Sequence, residues 1–174
     1  MNSKTRKLVY ISMLVSQAMI LSYVESLLPV MPIQGAKLGL ANITTILALC
    51  TLNFSASFLI VVARVLLNSL MFGSMASLIY SLTGGILSLV VMYLILKLFR
   101  KGLSLISVSI LGSISHNIGQ LIVAILVLDN NMNLLLILPY LLLIAIPTGL
   151  FVGLASNYLV KYLQHSNFNF KNDR

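Results

Sequence analysis

The chain has 174 residues, of which 59% are hydrophobic and only 8% are charged. Soluble globular domains carry about 25% charged residues, so this composition argues against a soluble fold and indicates an integral membrane protein. Lysine and arginine total 11 against 3 acidic residues, but they stand mainly at the ends of apolar runs, a placement that indicates membrane orientation rather than a nucleic-acid surface.

The apolar runs predict six transmembrane helices, because a helix needs about 20 residues to cross the hydrocarbon core. The first run is too long for a signal-peptide core and has no small-residue cleavage site after it, so we expect it to be retained. The second is short and joins the third through Thr51 to Ser55. The predicted spans are residues 8–28, 38–52, 55–72, 75–96, 103–128 and 133–160, within a single membrane domain of residues 1–174 that ends in a basic tail at 161–174.

Basic residues predict the orientation of these spans. They form three clusters: Lys4, Arg6 and Lys7; Lys97, Arg100 and Lys101; Lys161, Lys171 and Arg174. The positive-inside rule assigns all three clusters to the cytoplasm. Four spans fit between the first two clusters and two between the last pair, so six spans agree with every cluster. The sequence therefore predicts an all-α, polytopic protein with both termini in the cytoplasm.

The stretch from Gln34 to Ile43 reads Gln-Gly-Ala-Lys-Leu-Gly-Leu-Ala-Asn-Ile and follows Pro29 and Pro32. Its glycines and the preceding prolines predict that the backbone does not begin as a regular helix. A non-helical segment that carries a cation is suited to the edge of a ligand-binding site. Alternatively, it is an ordinary connection in which Lys37 anchors the chain at the membrane interface.

The third span carries Ser57, Arg64 and Asn68 along one stripe. An arginine at the centre of a span costs at least ~2.5 to 3.5 kcal/mol, so Arg64 should face the bundle interior, a carboxylate or a wet cavity. Glu25, near the outer end of the first span, is its main acidic candidate. A Glu25 to Arg64 or Glu25 to Lys37 pair that only orients helices is the structural alternative.

The fifth span has one polar side and one apolar side at 100° per residue. The polar side carries Ser109, Gly112, Ser113, His116, Asn117, Gly119 and Gln120. The apolar side, predicted to face lipid, carries Ile110, Leu111, Ile114, Ile118 and Leu121. Hydrogen bonds between helices would be enough to explain the serines on this side. The imidazole and the two carboxamides, within five residues, each need partners where water is absent, and this favours a site.

Small residues at helical spacing predict close packing of helices. The fourth span carries Ser74, Ser77, Ser81, Gly84 and Ser88, and the sixth carries Ala145, Gly149, Gly153 and Asn157. We expect both faces to pack inside the protein, with docking of another membrane subunit as the alternative. Ser12 and Ser16 form a weaker pair in the first span.

These polar residues predict a cavity open to the outside. Its expected lining is Arg64, Asn68, His116, Asn117 and Gln120, with Asn42, Lys37 and Glu25 above them. Two cations against one carboxylate suggest a ligand with an anionic group, which Arg64 would pair with while the amides and His116 bind its polar edges. Alternatively, Asn42 only caps or bonds locally and Lys37 stays in water.

The sequence predicts no cofactor, metal site or catalytic residue. Cys50 is the single cysteine, and His165 falls in the predicted cytoplasmic tail, which leaves only His116 for a haem in the membrane. No GxxxxGK[ST] motif is present, and Gly84-Gly85 alone is not a nucleotide loop. An ATP-driven motor would therefore be another chain.

Several motifs together resemble a known family. They are Gly-Ala-Lys-Leu-Gly-Leu-Ala-Asn within Pro32 to Asn42, Arg64 with Asn68, Phe72-Gly73, Tyr80-Ser81 with Gly84-Gly85, and His116-Asn117-x-Gly119-Gln120. This set resembles the Gx transporter family, also labelled heptaprenyl diphosphate synthase component I. The resemblance covers nearly all of the membrane portion.

The resemblance implies a six-helix bundle similar to the substrate-binding S components of energy-coupling factor importers. Those proteins bind a vitamin-like molecule from outside and associate with a transmembrane coupling subunit and two ATPases. Their Ala-x-x-x-Ala motif on the first helix typically meets the coupling subunit. Here Ser12 and Ser16 keep the small-residue spacing without the alanines, and they are the expected docking residues.

The synthase label conflicts with the acidic content of the chain. Prenyl diphosphate synthases, as a family, use aspartate-rich motifs to hold Mg²⁺ against diphosphate, because Mg²⁺ prefers carboxylate oxygens. Glu25, Asp129 and Asp173 are scattered and cannot build such a site. Under that label the chain would be a non-catalytic accessory subunit.

Three hypotheses follow. The leading one is a bacterial inner-membrane substrate-binding subunit of an importer, which captures a small anionic or zwitterionic ligand from the outer side. The second is an accessory membrane subunit in prenyl diphosphate or quinone metabolism, or in membrane electron transfer, with an apolar groove along the bundle. The third is a structural assembly factor whose polar residues only fasten helices.

Overall fold

The computed structural model describes residues 3–27, 37–99, 102–127 and 132–165. In this part of the chain the fold is all-α, as predicted. Its helices are α1 (Ser3–Ser26), α2 (Asn42–Thr51), α3 (Phe54–Phe72), α4 (Met75–Leu98), α5 (Leu105–Val127) and α6 (Leu138–His165), with a 3₁₀ helix (Met132–Ile137) leading into α6. The predictions made for Pro29, Pro32, Gln34, Arg100, Lys101, Asp129, Lys171, Asp173 and Arg174 lie outside the described residues.

Five of these helices are long and apolar enough to cross a membrane, which makes the chain a multi-pass membrane protein. The exception is α2, which has 10 residues. At 1.5 Å per residue it is about 15 Å long, half of the roughly 30 Å hydrocarbon core. The predicted second span, residues 38–52, is therefore helical only from Asn42 onward and does not cross as a single helix.

A non-helical segment, Lys37 to Ala41, leads into α2 inside the bundle. Gly39 has a φ of +95°, a conformation that favours glycine. A Cβ atom on Gly39 would lie 3.3 Å from Cδ2 of His116, so this segment passes beside the middle of α5. The predicted absence of a regular helix is thus confirmed for Lys37 to Ala41, and α2 begins only at Asn42.

Helix α5 is the centre of the bundle and packs most extensively against α4 and α6. Glycines allow both contacts. A Cβ on Gly119 of α5 would lie 2.9 Å from Cα of Gly84 on α4, and a Cβ on Gly149 of α6 would lie 2.6 Å from Cα of Ile110. The predicted packing of small residues inside the protein is confirmed at these crossings.

The predicted lipid-facing side of α5 is narrower than expected. Leu111 is exposed, but Leu121 is buried in a cluster with Tyr80 and Leu141. The prediction for Leu121 is wrong because α4 and α6 flank α5 on two sides and the 3₁₀ helix also contacts it. Because α5 is central, it is buried on part of its apolar side as well as on its polar side.

Helix α1 is peripheral and, among the described elements, packs only against α2 and α3. Near its start, the hydroxyl of Tyr10 lies 3.1 Å from that of Thr51 at the end of α2. Near its end, the rings of Tyr23 and Phe72 lie 4.8 Å apart. These contacts make α1 antiparallel to α2 and parallel to α3.

The last helix is longer than its predicted span. Residues 161–165 were predicted as the start of the tail, but α6 continues to His165 with Pro147 inside it. His165 is exposed at the helix end.

Candidate functional site

Polar side chains from five segments of the chain meet around one small cavity. It is lined by Ser22, Glu25, Lys37, Gly39, Arg64, Val65, Asn68, Ser81 and His116. The space that the centre of a water molecule can occupy is about 10 Å³, which is room for about one water. The predicted cluster is therefore assembled, but protein atoms fill almost all of it.

Arg64 and Asn68 lie one turn apart on α3, and both line the cavity. Both side chains are buried, at 4% and 5% exposure. The Nε of Arg64 and the Oδ1 of Asn68 have no hydrogen-bond partner. A buried polar atom left unpaired costs about 1–3 kcal/mol, and more when it is charged, so these atoms favour a ligand or water that pairs with them.

Glu25, on the last turn of α1, points to the non-helical segment before α2. Its carboxylate accepts hydrogen bonds from the backbone N–H groups of Gly39 and of Leu40, the latter at 3.3 Å. Lys37 and Arg64 line the same cavity as Glu25. The predicted alternatives paired Glu25 with Arg64 or Lys37, whereas its hydrogen bonds go to the backbone.

Gln120 joins Lys37 to His116. The backbone N–H of Lys37 donates to Oε1 of Gln120 over 3.2 Å, and Nε2 of Gln120 lies 2.9 Å from Nε2 of His116. Because the amide nitrogen can only donate, Nε2 of His116 must accept, which assigns the imidazole proton to Nδ1. His116 is then neutral, with its Nδ1–H on the side of the ring that lies against Gly84.

Gly84 leaves the space that the imidazole occupies. A Cβ at this position would lie 2.8 Å from the carbonyl oxygen of His116 and 3.0 Å from both Cε1 and Nδ1 of its ring. The Gly84-Gly85 pair noted in the sequence therefore has a packing role, since Gly85 likewise approaches Arg64 Nη2, which a Cβ would meet at 3.5 Å.

Three predicted site residues lie beside the cavity and not among its lining residues. Asn42 is the first residue of α2 and is buried against Gly39, with neither side-chain polar atom partnered. Asn117 turns towards α6, where its Nδ2 donates to the carbonyl of Leu141 over 3.0 Å. Gln120 also lies behind the lining and holds His116 in place.

Two polar side chains that line the cavity, those of Ser22 and Ser81, were not expected in the site. Ser22 precedes Glu25 by about one turn of α1, and Ser81 was interpreted only as a small packing residue of α4. The Oγ of Ser81 is buried without a partner. The helical spacing from Ser22 to Glu25 is a signal that sequence inspection could have used, whereas nothing in the pattern separates Ser81 from Ser77 or Ser88.

The cluster combines two basic side chains with one carboxylate. Two cations, Lys37 and Arg64, face one carboxylate, and both are at least nine-tenths buried. A net positive site inside a bundle attracts an anionic group, and the neighbouring amide, imidazole and hydroxyl groups can bind the polar atoms next to it.

The predicted docking residues lie on the outer face of α1. Ser12 and Ser16 are exposed, and each hydroxyl donates to a carbonyl of its own helix, that of Leu8 and that of Ser12. They line a shallow groove together with Leu8, Val9, Met13 and Gln17.

A second, larger groove of about 760 Å³ separates α1 from α6, with α2 as its floor. It is mostly apolar. Its lining comprises Tyr10, Met13, Leu14, Gln17, Ile20, Leu21, Ile43, Thr44, Leu47, Leu159, Tyr162 and Leu163.

Comparison with known proteins gives one match. A family model described as "Heptaprenyl diphosphate synthase component I" matches residues 14–159. The matched range runs from α1 into α6 and includes every residue that lines the small cavity. No curated protein and no solved structure matches the chain. The match confirms the family resemblance of the sequence motifs.

Proposed function

The chain belongs to the family described as heptaprenyl diphosphate synthase component I, and on that premise we propose that it is the substrate-binding subunit of an importer of energy-coupling factor type. It captures a small anionic or zwitterionic ligand from the outer side of a bacterial inner membrane. It has no catalytic site of its own and depends on a partner complex for energy.

The observation that carries this proposal is the buried cluster around Arg64. Arginine in the middle of an apolar helix is expensive in a membrane, and intramembrane ionisable residues usually serve function. Here Arg64 is accompanied by Asn68 and Ser81, each with a buried polar atom that has no partner. A purely structural cluster would be expected to satisfy its own hydrogen bonds.

The backbone around the site supports the same proposal. Non-helical backbone at membrane depth is tolerated where it is buried in protein or lines a cavity, and transporters place such breaks at their substrate sites. In the proposed topology the segment from Lys37 to Ala41 together with α2 forms the second of six crossings. Both termini are then cytoplasmic, and the cavity opens towards the outside.

The proposed partners are a transmembrane coupling subunit and its ATPases. The coupling subunit docks on the face of α1 that carries Ser12 and Ser16. Both hydroxyls are bonded within the helix, so this face presents small residues without unsatisfied donors, which suits close approach of another helix.

Two measurements on the full chain test the proposed function. Native mass spectrometry of gently solubilised protein should identify a small molecule that travels with it. Arg64→Ala should abolish binding of that molecule while the variant still inserts and folds, because the guanidinium supplies the pairing charge. Arg64→Lys, which keeps the charge without the planar fork, should retain weakened binding. Normal binding by folded Arg64→Ala protein would exclude Arg64 from the site.

The apolar groove between α1 and α6 favours a second candidate function. In this alternative the chain is a non-catalytic accessory subunit in prenyl diphosphate or quinone metabolism, or in membrane electron transfer, and the groove holds an apolar tail. The groove has an apolar lining that extends from Ile20 across α2 to Leu163. A lining of this extent suits a chain-like molecule.

Co-purification distinguishes the two functions. The alternative predicts that a soluble prenyltransferase or a quinone-dependent enzyme co-purifies with the chain and that no water-soluble ligand is found. Recovery of a polar ligand whose binding requires Arg64 would reject it.

A further inference from the structure

The carboxylate of Glu25 is held in the way that a bound anion would be held. Two backbone N–H groups, of Gly39 and Leu40, point at one of its oxygens. Lys37 and Arg64 line the same small cavity as Glu25. Consecutive N–H groups beside a residue of positive φ form an anion-binding concavity in many proteins, and here the occupant is part of the same chain.

Glu25 does not use all the polar atoms that surround it. Nε of Arg64 and Oδ1 of Asn68 remain without partners, although each of these side chains is at least nine-tenths buried. The surroundings of the carboxylate thus offer more hydrogen bonds than Glu25 itself can make. They are consistent with an occupant that extends beyond a carboxylate.

The cavity has no room for a ligand next to Glu25. Its free space accommodates about one water molecule. An organic molecule therefore has to replace something, and Glu25 is the group best placed to leave. It lies on α1, which is attached only to α2 and α3 among the described elements, and it is near the end of that helix.

We propose that Glu25 is an internal substitute for the ligand, and that a carboxylate group of the ligand binds by displacing Glu25 from the N–H groups of Gly39 and Leu40. This inference rests on the proposed location of the substrate site. It assigns the ligand to the small carboxylic acids, because the position is filled by a planar carboxylate that accepts hydrogen bonds from two adjacent backbone N–H groups.

Removal of the Glu25 carboxylate tests the proposal by chemical rescue. Glu25→Ala removes a group nearly the size of acetate, and Glu25→Gln keeps the shape while removing the charge. Ser26→Ala, at the neighbouring exposed position, serves as the matched control. Thermal unfolding of each full-length protein in detergent is followed while acetate, acetamide, inorganic phosphate or chloride is added at constant ionic strength.

Acetate should stabilise Glu25→Ala selectively, with an apparent Kd at least about tenfold lower than for the wild type, because the competing carboxylate is gone. Glu25→Gln should lie between the two, since a neutral amide competes less well for the two cations. Acetamide and chloride should have no comparable effect on any variant. Ser26→Ala should respond like the wild type.

Equal stabilisation of all variants by acetate would overturn the proposal, as would stabilisation of Glu25→Ala by phosphate but not by acetate. Failure of acetate to stabilise Glu25→Ala protein that remains folded would also overturn it. Each of these results leaves the substrate-binding function intact if Arg64→Ala still abolishes binding of the co-purified molecule. The proposed role of Glu25 can therefore be rejected without rejecting the substrate-binding function.

Discussion

At the scale of single residues, the least expected feature is that the imidazole of His116 lies against a glycine and not a side chain. Gly84 on α4 faces both the ring and the carbonyl of His116. The ring can take this position because position 84 lacks a Cβ. The geometry of the cavity thus depends on a residue that has no polar atom of its own.

Gly84→Ala should destabilise the protein by about 1–3 kcal/mol and displace the ring of His116. Alanine gains up to about 1 kcal/mol of helix propensity over glycine, but the new Cβ would overlap the His116 carbonyl at 2.8 Å, and overpacking costs more. Thermal unfolding followed by circular dichroism measures the effect.

Gly102→Ala is the matched control for this substitution, because a Cβ there meets nothing within 4 Å. It should leave the unfolding midpoint nearly unchanged. A Gly84→Ala protein as stable as Gly102→Ala would show that α4 and α5 can separate without penalty.

The sequence predicted which residue types gather in the site but not the direction of each side chain. Arg64, Asn68 and His116 were identified because polar groups in apolar helices need partners. Helical spacing assigned Asn117 to the same face, but its amide turns to the carbonyl of Leu141 on α6. The direction of the Asn117 side chain depends on the position of α6, and the local sequence pattern of α5 gives no information about that position.

At the scale of helices, Asn117 connects α5 to α6 and not α5 to the cavity. Asn117→Ala should lower the free energy of unfolding by about 0.6–1.7 kcal/mol, the range for interhelical hydrogen bonds in membranes. It should leave ligand binding close to that of the wild type. Thermal unfolding and a binding assay on the same preparation check both parts.

Ser115→Ala provides the comparison, because its hydroxyl bonds to the Leu111 carbonyl within α5 and its loss should affect helix packing less. If folded Asn117→Ala protein fails to bind ligand, Asn117 contributes to the site directly. If His116→Ala, Asn117→Ala and Gln120→Ala lose stability in parallel and no ligand is found, the residues only fasten helices and the third hypothesis is favoured.

The lengths of helices were predictable where apolar runs are uninterrupted. α3 begins and ends within about one residue of its predicted span, since Asn53 accepts from Ala56 N–H as an N-cap and Gly73 ends the helix. For α2 the apolar pattern extends further than the helix. The segment that contains Lys37 and Gly39 is not helical, and its length depends on contacts with Glu25 on α1 and Gln120 on α5.

At the scale of the whole molecule, the basic clusters predict cytoplasmic termini. Single cysteines at Lys4→Cys and His165→Cys, introduced with Cys50→Ala, should react with an impermeant maleimide only from the cytoplasmic side. Met75→Cys, at the first residue of α4, should react from outside, because the other end of α4 carries Lys97, which belongs to a basic cluster expected in the cytoplasm. Labelling of intact and permeabilised spheroplasts measures this.

All three cysteines should react after permeabilisation, which controls for burial. Reaction of His165→Cys in intact cells, with Lys4→Cys protected, would indicate an odd number of crossings. In that case α2 would not count as part of a crossing, and the cavity would need a different route of access.

The incomplete helix at α2 also constrains how the protein is made. Emerging alone from the translocon, this stretch would expose the unpaired amides of Gly39 and Leu40 and the side chain of Lys37 to lipid. Its partners are Glu25, synthesised earlier, and Gln120, synthesised some eighty residues later. Stable membrane integration of this part of the chain must therefore await α5, so a nascent protein truncated after α4 should be retained by the insertion machinery or degraded.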